Sequence, residues 1–212
     1  MNKQIVIIGA SGHGKVVADI ARKSGYEDIV FLDDNPAAKT CSLYPVVGTT
    51  EDLSPHRGKD FIVAIGNAAI RKKLQTRLTE AGVHIATLIH PNAVIGENVT
   101  LGVGTVVMAG AVVNPCAVIG NGCILNTCCS VDHDCVIGDY VHISVGAHVA
   151  GTAVIADNTW IGAGATVSNA IHITADCMVG AGAVVVHHLS QAGTYVGVPA
   201  RIIKPKDCAD CP

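Results

Sequence analysis

Large rings are scarce in this chain, with two Phe, one Trp and four Tyr among 212 residues. Half of the residues are nonetheless apolar and the mean hydropathy is +0.44. The apolar mass is therefore Ile, Val, Leu and Ala, which pack thin, repetitive layers. Long apolar runs are also missing. A spanning helix needs about 20 apolar residues in succession, and polar or Gly residues interrupt every run well before that, so membrane insertion is not expected. The opening stretch, Ile5 to Ile8, is four residues long and leads into a Gly-rich turn, too short for a signal peptide. The chain reads as soluble and cytoplasmic. No excess of basic charge is present: the net charge is −3 and the pI near 6.3, which leaves no footprint for nucleic acid. Cysteine is plentiful at nine residues, but the count is odd and Cys128 and Cys129 are adjacent, a poor arrangement for a disulfide framework.

What the sequence does have is a repeat. Stepping by six from Ile89 through Ile95, Leu101, Val107 and Val113 as far as Val185 gives seventeen aliphatic residues with no slip of phase. Two residues before each lies a second series, from Ala93 and Val99 to Cys177 and Ala183, in which no residue is charged. Residues i and i+2 of a strand share a face, so each unit is a short strand turning a small and a larger residue inward, followed by a corner. Gly often follows the aliphatic position, as at Gly96, Gly102, Gly120, Gly138, Gly162 and Gly180, where a corner can need positive φ. Such units must coil, and stacked coils pair their backbones above and below. The pattern matches a triangular left-handed parallel β-helix of hexapeptide repeats over residues 89–188, at three units per coil. Cys123, Cys129, Cys135 and Cys177 fall in the small inward series, as buried small groups.

Residues 1–88 follow other rules. A buried strand at Ile5 to Ile8, a tight turn from Gly9 to Gly14, and a helix from Lys15 to Ser24 with Val16, Val17, Ile20 and Ala21 inward are followed by a strand ending in Asp33 and Asp34. A further strand at Phe61 to Ile65 leads through Gly66 and Asn67 into a helix from Ala68 to Ala81. This is a small Rossmann-like parallel α/β domain. Backbone N–H groups of a Gly-rich turn at a helix N-terminus can hold phosphate, and an acid ending the next strand suits a ribose or base. The unit is about half a dinucleotide fold, so a single nucleotide fits better than NAD; a tight turn without a ligand is the alternative. Residues 189–212 are read as a C-terminal extension in which Cys208 and Cys211 form a frayed tail rather than a metal site.

The phase of the solenoid leaves only corners and outward strand positions for chemistry. His133 stands at a corner between Asp132 and Asp134, while His142, His148 and His172 occupy outward positions on flat faces. A His beside a carboxylate can take a proton at neutral pH; a solvated corner is the alternative reading of His133. Cys129 and Cys135 face inward, which leaves Cys128 as the open thiol of that region. Exposed histidines converging across a three-fold axis could hold zinc as in a carbonic-anhydrase-type β-helix, though no metal is expected.

Gly9-Ala10-Ser11-Gly12-His13-Gly14, Phe31-Leu32-Asp33-Asp34, Ala64-Ile65-Gly66-Asn67 with Ile70-Arg71-Lys72-Lys73, Asn126, Val131 to Gly138, His142 and Gly197-Val198-Pro199-Ala200 together resemble the NeuD/PglD family of sugar acetyltransferases. Within it the chain is most like the bacterial UDP-N-acetylbacillosamine N-acetyltransferases. The resemblance implies an acetyl-CoA-dependent homotrimer that acetylates the 4-amino group of a UDP-linked 4-amino-4,6-dideoxy sugar for protein glycosylation. It implies His133 as general base and Asp134 as its orienting acid. Gly12, His13, Asp33, Asp34, Gly66 and Asn67 fall at nucleotide-sugar positions, and Asn126, His142, Gly151, Ala163 and Ala181 at acetyl-CoA positions. O-acetylation of sialic acid or another sugar hydroxyl is the nearest alternative within the fold.

Overall fold

The computed structural model describes residues 3–203. Its first part is a six-stranded sheet of β1 (Lys3–Ile8), β2 (Tyr26–Leu32), β3 (Thr40–Cys41), β4 (Tyr44–Gly48), β5 (Asp60–Val63) and β6 (His84–Ile85) in the order β3-β4-β2-β1-β5-β6. All pairings are parallel except that of β3 with β4. The β3–β4 hairpin and β6 have too little apolar alternation to stand out in the sequence. Helices α1 (Gly12–Lys23) and α2 (Ala68–Glu80) lie on opposite faces. Strand β1 is an unbroken apolar run because it is covered on both sides: Ile5 and Ile7 pack with Val17, Ile20 and Ala21 of α1, and Val6 and Ile8 with Leu74 and Leu78 of α2.

Helix α1 begins at Gly12, inside the segment expected to be a turn, so Gly12, His13 and Gly14 form its first turn. The close approach explains it. A Cβ on Gly14 would collide with the Gly9 carbonyl and stand 3.1 Å from the Phe31 ring, so the helix can start directly on the strand only with glycine there. Val16, expected inward, is exposed; Ala18 takes its place on the buried face.

From Leu88–Ile89 onward two-residue strands recur every six residues, and each pairs with the strand 18 residues away. Val106 and Val107 pair with Ile124 and Leu125, which pair in turn with His142 and Ile143. The result is the left-handed parallel β-helix, with three sheets of eight, six and five strands. Its aliphatic series is fully inward from Val107 to Val185, each residue 2% exposed or less. Ile89, at the open end, is more than a third exposed. Inward Thr105 is tolerated because its hydroxyl donates to Gly120 O (2.9 Å) and accepts from Cys123 N (3.0 Å). The thiols of Cys123 and Cys135 likewise reach the carbonyls of Gly138 and Ala150 at 3.1 and 3.2 Å. Gly193–Val196 and Arg201–Ile202 are the last two of the eight strands of the first sheet.

The expectation that glycine follows the aliphatic position to supply positive φ is not met. Positive φ falls two residues later, at Gly104, Gly122 and Gly146 but also at Asn98, Asp134, Tyr140 and Asn158. The earlier glycines provide room for the next coil: a Cβ on Gly138 would lie 2.8 Å from Asp157 N, and one on Gly96 2.6 Å from Pro115 N.

The first part docks on the largest solenoid sheet, where the outward side chains of Leu88, Val106 and Ile124 join the core beneath α1. No helix among the described residues is long and apolar enough to cross a membrane. Cys208 and Cys211 lie outside the described residues.

Candidate active site

His133 and Asp134 form the corner between the strands Ser130–Val131 and Val136–Ile137. Asp134 has φ 57°, a left-handed conformation that Asp adopts more readily than most residues. Its Oδ2 lies 2.8 Å from His133 Nδ1. Asp132, on the other side, accepts from His133 N (2.8 Å) and from Asn114 Nδ2 (2.7 Å), one coil below. The hydrogen bond to Asp134 raises the affinity of the exposed His133 imidazole for a proton, aided by the charges of Asp132 and Asp134. With Nδ1–H directed at the carboxylate, Nε2 is the basic nitrogen. The ring rests on Gly151 of the next coil, where a Cβ would stand 2.7 Å from Nε2.

The sequence places His142 outward on a flat face, wetted or packed against another subunit; it points outward but is buried within its own chain, at 9% exposure. Its neighbour one coil above, Trp160, lies over it with ring centroids 4.7 Å apart. Its tautomer follows from its partners. Asn126 Oδ1 accepts from Thr127 N at 2.8 Å, which points Nδ2 at His142 Nε2, 3.1 Å away. An amide nitrogen only donates, so Nε2 accepts and the proton of the neutral ring sits on Nδ1. That Nδ1 is buried without a partner among the described residues. Burial, with Arg71 and His13 nearby, pushes the proton affinity of His142 down to about 3, and burial with Arg71 pushes that of His13 down to about 4. Both rings are thus neutral at physiological pH, and His13 Nε2 is likewise buried without a partner among the described residues.

The two acids ending β2 already hold backbone. Asp33 accepts from Ala10 N (2.6 Å) and Asn35 N (2.8 Å), and Asp34 from Thr50 N and Oγ1 (2.9 and 3.0 Å). Asp33 thereby shapes the turn that the sequence assigned to phosphate and Asp34 holds the loop at Thr50, and both line a cavity of about 360 Å³ with Gly9, Ile65, Lys73 and Arg77. Asn67 is the N-cap of α2, its Oδ1 accepting from Ile70 N at 3.0 Å. Gly66, Asn67 and Lys73 also line a second cavity, about 590 Å³, that runs against the solenoid at Tyr140, His142 and Trp160. Lys73 stands in the wall of both.

Within one chain the candidate residues fall into two groups. His13, Gly66, Asn67 and His142 gather where the front sheet meets the first solenoid sheet, and Asn126 begins the corner that follows that sheet. Ala163 and Ala181 are exposed on the same corner, two and three coils above. His133 and Gly151 occupy the next corner, which in a triangular coil lies opposite the sheet of His142. The inward Cys129 is buried, its thiol pushed up to about 12 by burial, and Cys135 is raised for the same reason; Cys128 is exposed. The sequence reading gave no role to Arg71, Lys73 or Trp160, because neither a charged helix residue nor a single Trp announces which surface it meets.

Residues 4–78 match the PglD N-terminal domain family. The chain is 36% identical over 108 residues to UDP-N-acetylbacillosamine N-acetyltransferase of Bacillus subtilis (strain 168), covering 49% of this chain and 50% of that protein. It is 32% identical over 152 residues to GDP-perosamine N-acetyltransferase of Escherichia coli O157:H7, covering 68% and 69%. Among solved structures, the acetyltransferase domain of PglB from Neisseria gonorrhoeae FA1090 in complex with acetyl coenzyme A superposes with a TM-score of 0.91 at 39% identity, over 96% of this chain and 100% of that one.

Proposed function

The chain belongs to the NeuD/PglD-like family of sugar acetyltransferases, and we propose that it transfers the acetyl group of acetyl-CoA to the 4-amino group of a UDP-linked 4-amino-4,6-dideoxy sugar. The observation that carries this reading is the His133–Asp134 pair, 2.8 Å apart at an exposed corner with Nε2 left free. In this reading residues 1–88 receive the nucleotide sugar and residues 89–188 the acetyl-CoA; the complex of the Neisseria domain with acetyl coenzyme A supports acetyl-CoA as the donor. Asp33, Asp34, Gly12 and His13 border the nucleotide; Gly66 and Asn67 border the sugar end. Asn126, Gly151, Ala163 and Ala181 border acetyl-CoA.

Transfer is direct. His133 Nε2 takes a proton from the sugar amine as its nitrogen bonds to the thioester carbon. The tetrahedral oxyanion is met by backbone N–H donors at the thioester end of the site, which Asn126 and His142 line. Collapse breaks the C–S bond, and the proton on His133 passes to the leaving sulfur, giving the amide and coenzyme A. Asp134 keeps Nε2 the basic nitrogen and stabilises the imidazolium. Because His133 and His142 sit on opposite sides of the prism, one site draws His133 from one chain and His142 from its neighbour, as cyclic symmetry allows; the working unit is a homotrimer, acting in the cytoplasm.

UDP is favoured by the bacillosamine-type relative, whereas the E. coli relative acts on a GDP sugar. The test is kcat/KM with acetyl-CoA for the UDP-linked amino sugar, its GDP counterpart and the same sugar without a nucleotide. Anchoring by the nucleotide holds the amine against the thioester, so the UDP sugar should exceed the free sugar by at least about 100-fold. Equal values for linked and free sugar would defeat the nucleotide-sugar assignment, and a GDP preference would replace UDP.

A further inference from the structure

One cation is used by neither substrate in the reading above. The Arg71 side chain is 1% exposed, with no carboxylate partner among the described residues. Its guanidinium instead makes four hydrogen bonds to main-chain carbonyls: Nη1 to Ile65 and Gly66 (both 2.8 Å), Nε to Gly122 (2.6 Å) and Nη2 to Tyr140 (2.8 Å). Two of these acceptors belong to the turn that opens α2, and the other two to the same corner of successive solenoid coils. Gln75, one helical turn further on, donates to Val103 at 2.8 Å, on the coil below. A helix turn rises about 5.4 Å and stacked strands lie about 4.8 Å apart, so residues at i and i+4 of α2 can meet consecutive coils. Glycine makes the approach possible, since a Cβ on Gly104 would stand 2.7 Å from Gln75 Cδ.

We propose that Arg71 is a positioning residue: by gripping the Ile65–Gly66 turn and two solenoid corners at once, it fixes the distance between the nucleotide-sugar turn and the acetyl-transfer end of the site. The planar five-donor fork suits this task, because it satisfies four carbonyls at once, one more than the three N–H groups of an ammonium can. The same charge lies beside His13 and His142.

The inference rests on the nucleotide-sugar reading, and its test separates the two. Arg71→Met and Arg71→Lys are compared with the wild-type chain, using the UDP-linked amino sugar and the same amino sugar without nucleotide. A misplacement of about 1 Å can cost about 100-fold in rate. In Arg71→Met, kcat/KM for the linked sugar should fall about 100-fold and that for the free sugar less than about 10-fold, so the advantage conferred by the nucleotide shrinks. Arg71→Lys, which keeps the charge but not the fork, should recover only a small part of it. A purely structural role would lower both acceptors by one factor and leave their ratio intact, and that result would overturn the proposal. If Arg71→Met fails to fold by circular dichroism, Arg71→Lys carries the same comparison: an unchanged ratio there overturns it equally. A wild-type chain showing no nucleotide advantage would defeat the nucleotide-sugar reading itself.

Discussion

Replacing Gly151 by alanine isolates the position of the proposed base from its chemistry. The backbone of Gly151 is not in the left-handed region, so alanine fits the main chain, and its effect comes from one methyl group. That methyl would stand 2.7 Å from His133 Nε2 and 2.8 Å from Cε1. Ordinary contacts lie near 3.5 Å, so the ring must retreat by about 0.8 Å. His133 is exposed and free to move, so the fold tolerates the shift, and a Gly to Ala change at a compatible site can even stabilise by about 0.4–1 kcal/mol. The reaction does not tolerate it as well: with about 100-fold lost per ångström, kcat should fall roughly 10- to 100-fold, or about 1.4–2.7 kcal/mol of barrier. The assay is release of the coenzyme A thiol at saturating acetyl-CoA, run on Gly151→Ala, His133→Ala and the double variant. His133→Ala alone should lose about 10²- to 10⁴-fold. If the methyl acts only through the base, it should cost nothing further in the His133→Ala background. A Gly151→Ala chain with wild-type kcat would refute the placement of His133 as base, whereas a loss that multiplies that of His133→Ala would place the methyl's effect on the acetyl-CoA that Gly151 borders in the proposed site.

Two further outcomes are expected. Asp134→Asn removes the partner that raises the proton affinity of His133; since the base works only when neutral, the acid limb of kcat/KM should lie above pH 6.5 in the wild type and move down toward 6.5 in the variant, with a lower plateau, and an unmoved limb in a pH–rate profile would place the titration elsewhere. Chains carrying His133→Ala and chains carrying His142→Ala should each be weak, yet a refolded equal mixture should regain activity in about a quarter of its sites, because neighbouring chains of a cyclic trimer complete one another; no recovery, or an active monomer by light scattering, would defeat the shared site.

The solenoid was legible in the sequence because its physics is local and periodic. Every sixth residue must be aliphatic when each coil places three strands around one narrow core, and the inward set from Val107 to Val185 follows from that spacing alone. The corner position of His133 follows from the same count. The front domain was legible in outline through β1, β2 and α2, while the start of α1 shifted because the closeness of Gly14 to Gly9 is a contact between elements and leaves no periodic trace. The role of the corner glycines was misread for a related reason: positive φ is a property of one residue, whereas the space Gly138 leaves for Asp157 belongs to the next coil.

Docking of the two parts decided what periodicity could not. His142 occupies an outward position by count, and only the arrival of the front domain and the packing of Trp160 turn that position into a buried one with a fixed tautomer and a proton affinity held down to about 3. Asp33 and Asp34 were legible as acids at a strand end, but their engagement with Ala10 and Thr50 depends on loops folding back from elsewhere. Arg71 is the extreme case. Its sequence neighbours mark it as one of several cations on a helix, and only the stacked carbonyls of Gly122 and Tyr140, 18 residues apart in sequence and adjacent in space, make it a buried clamp.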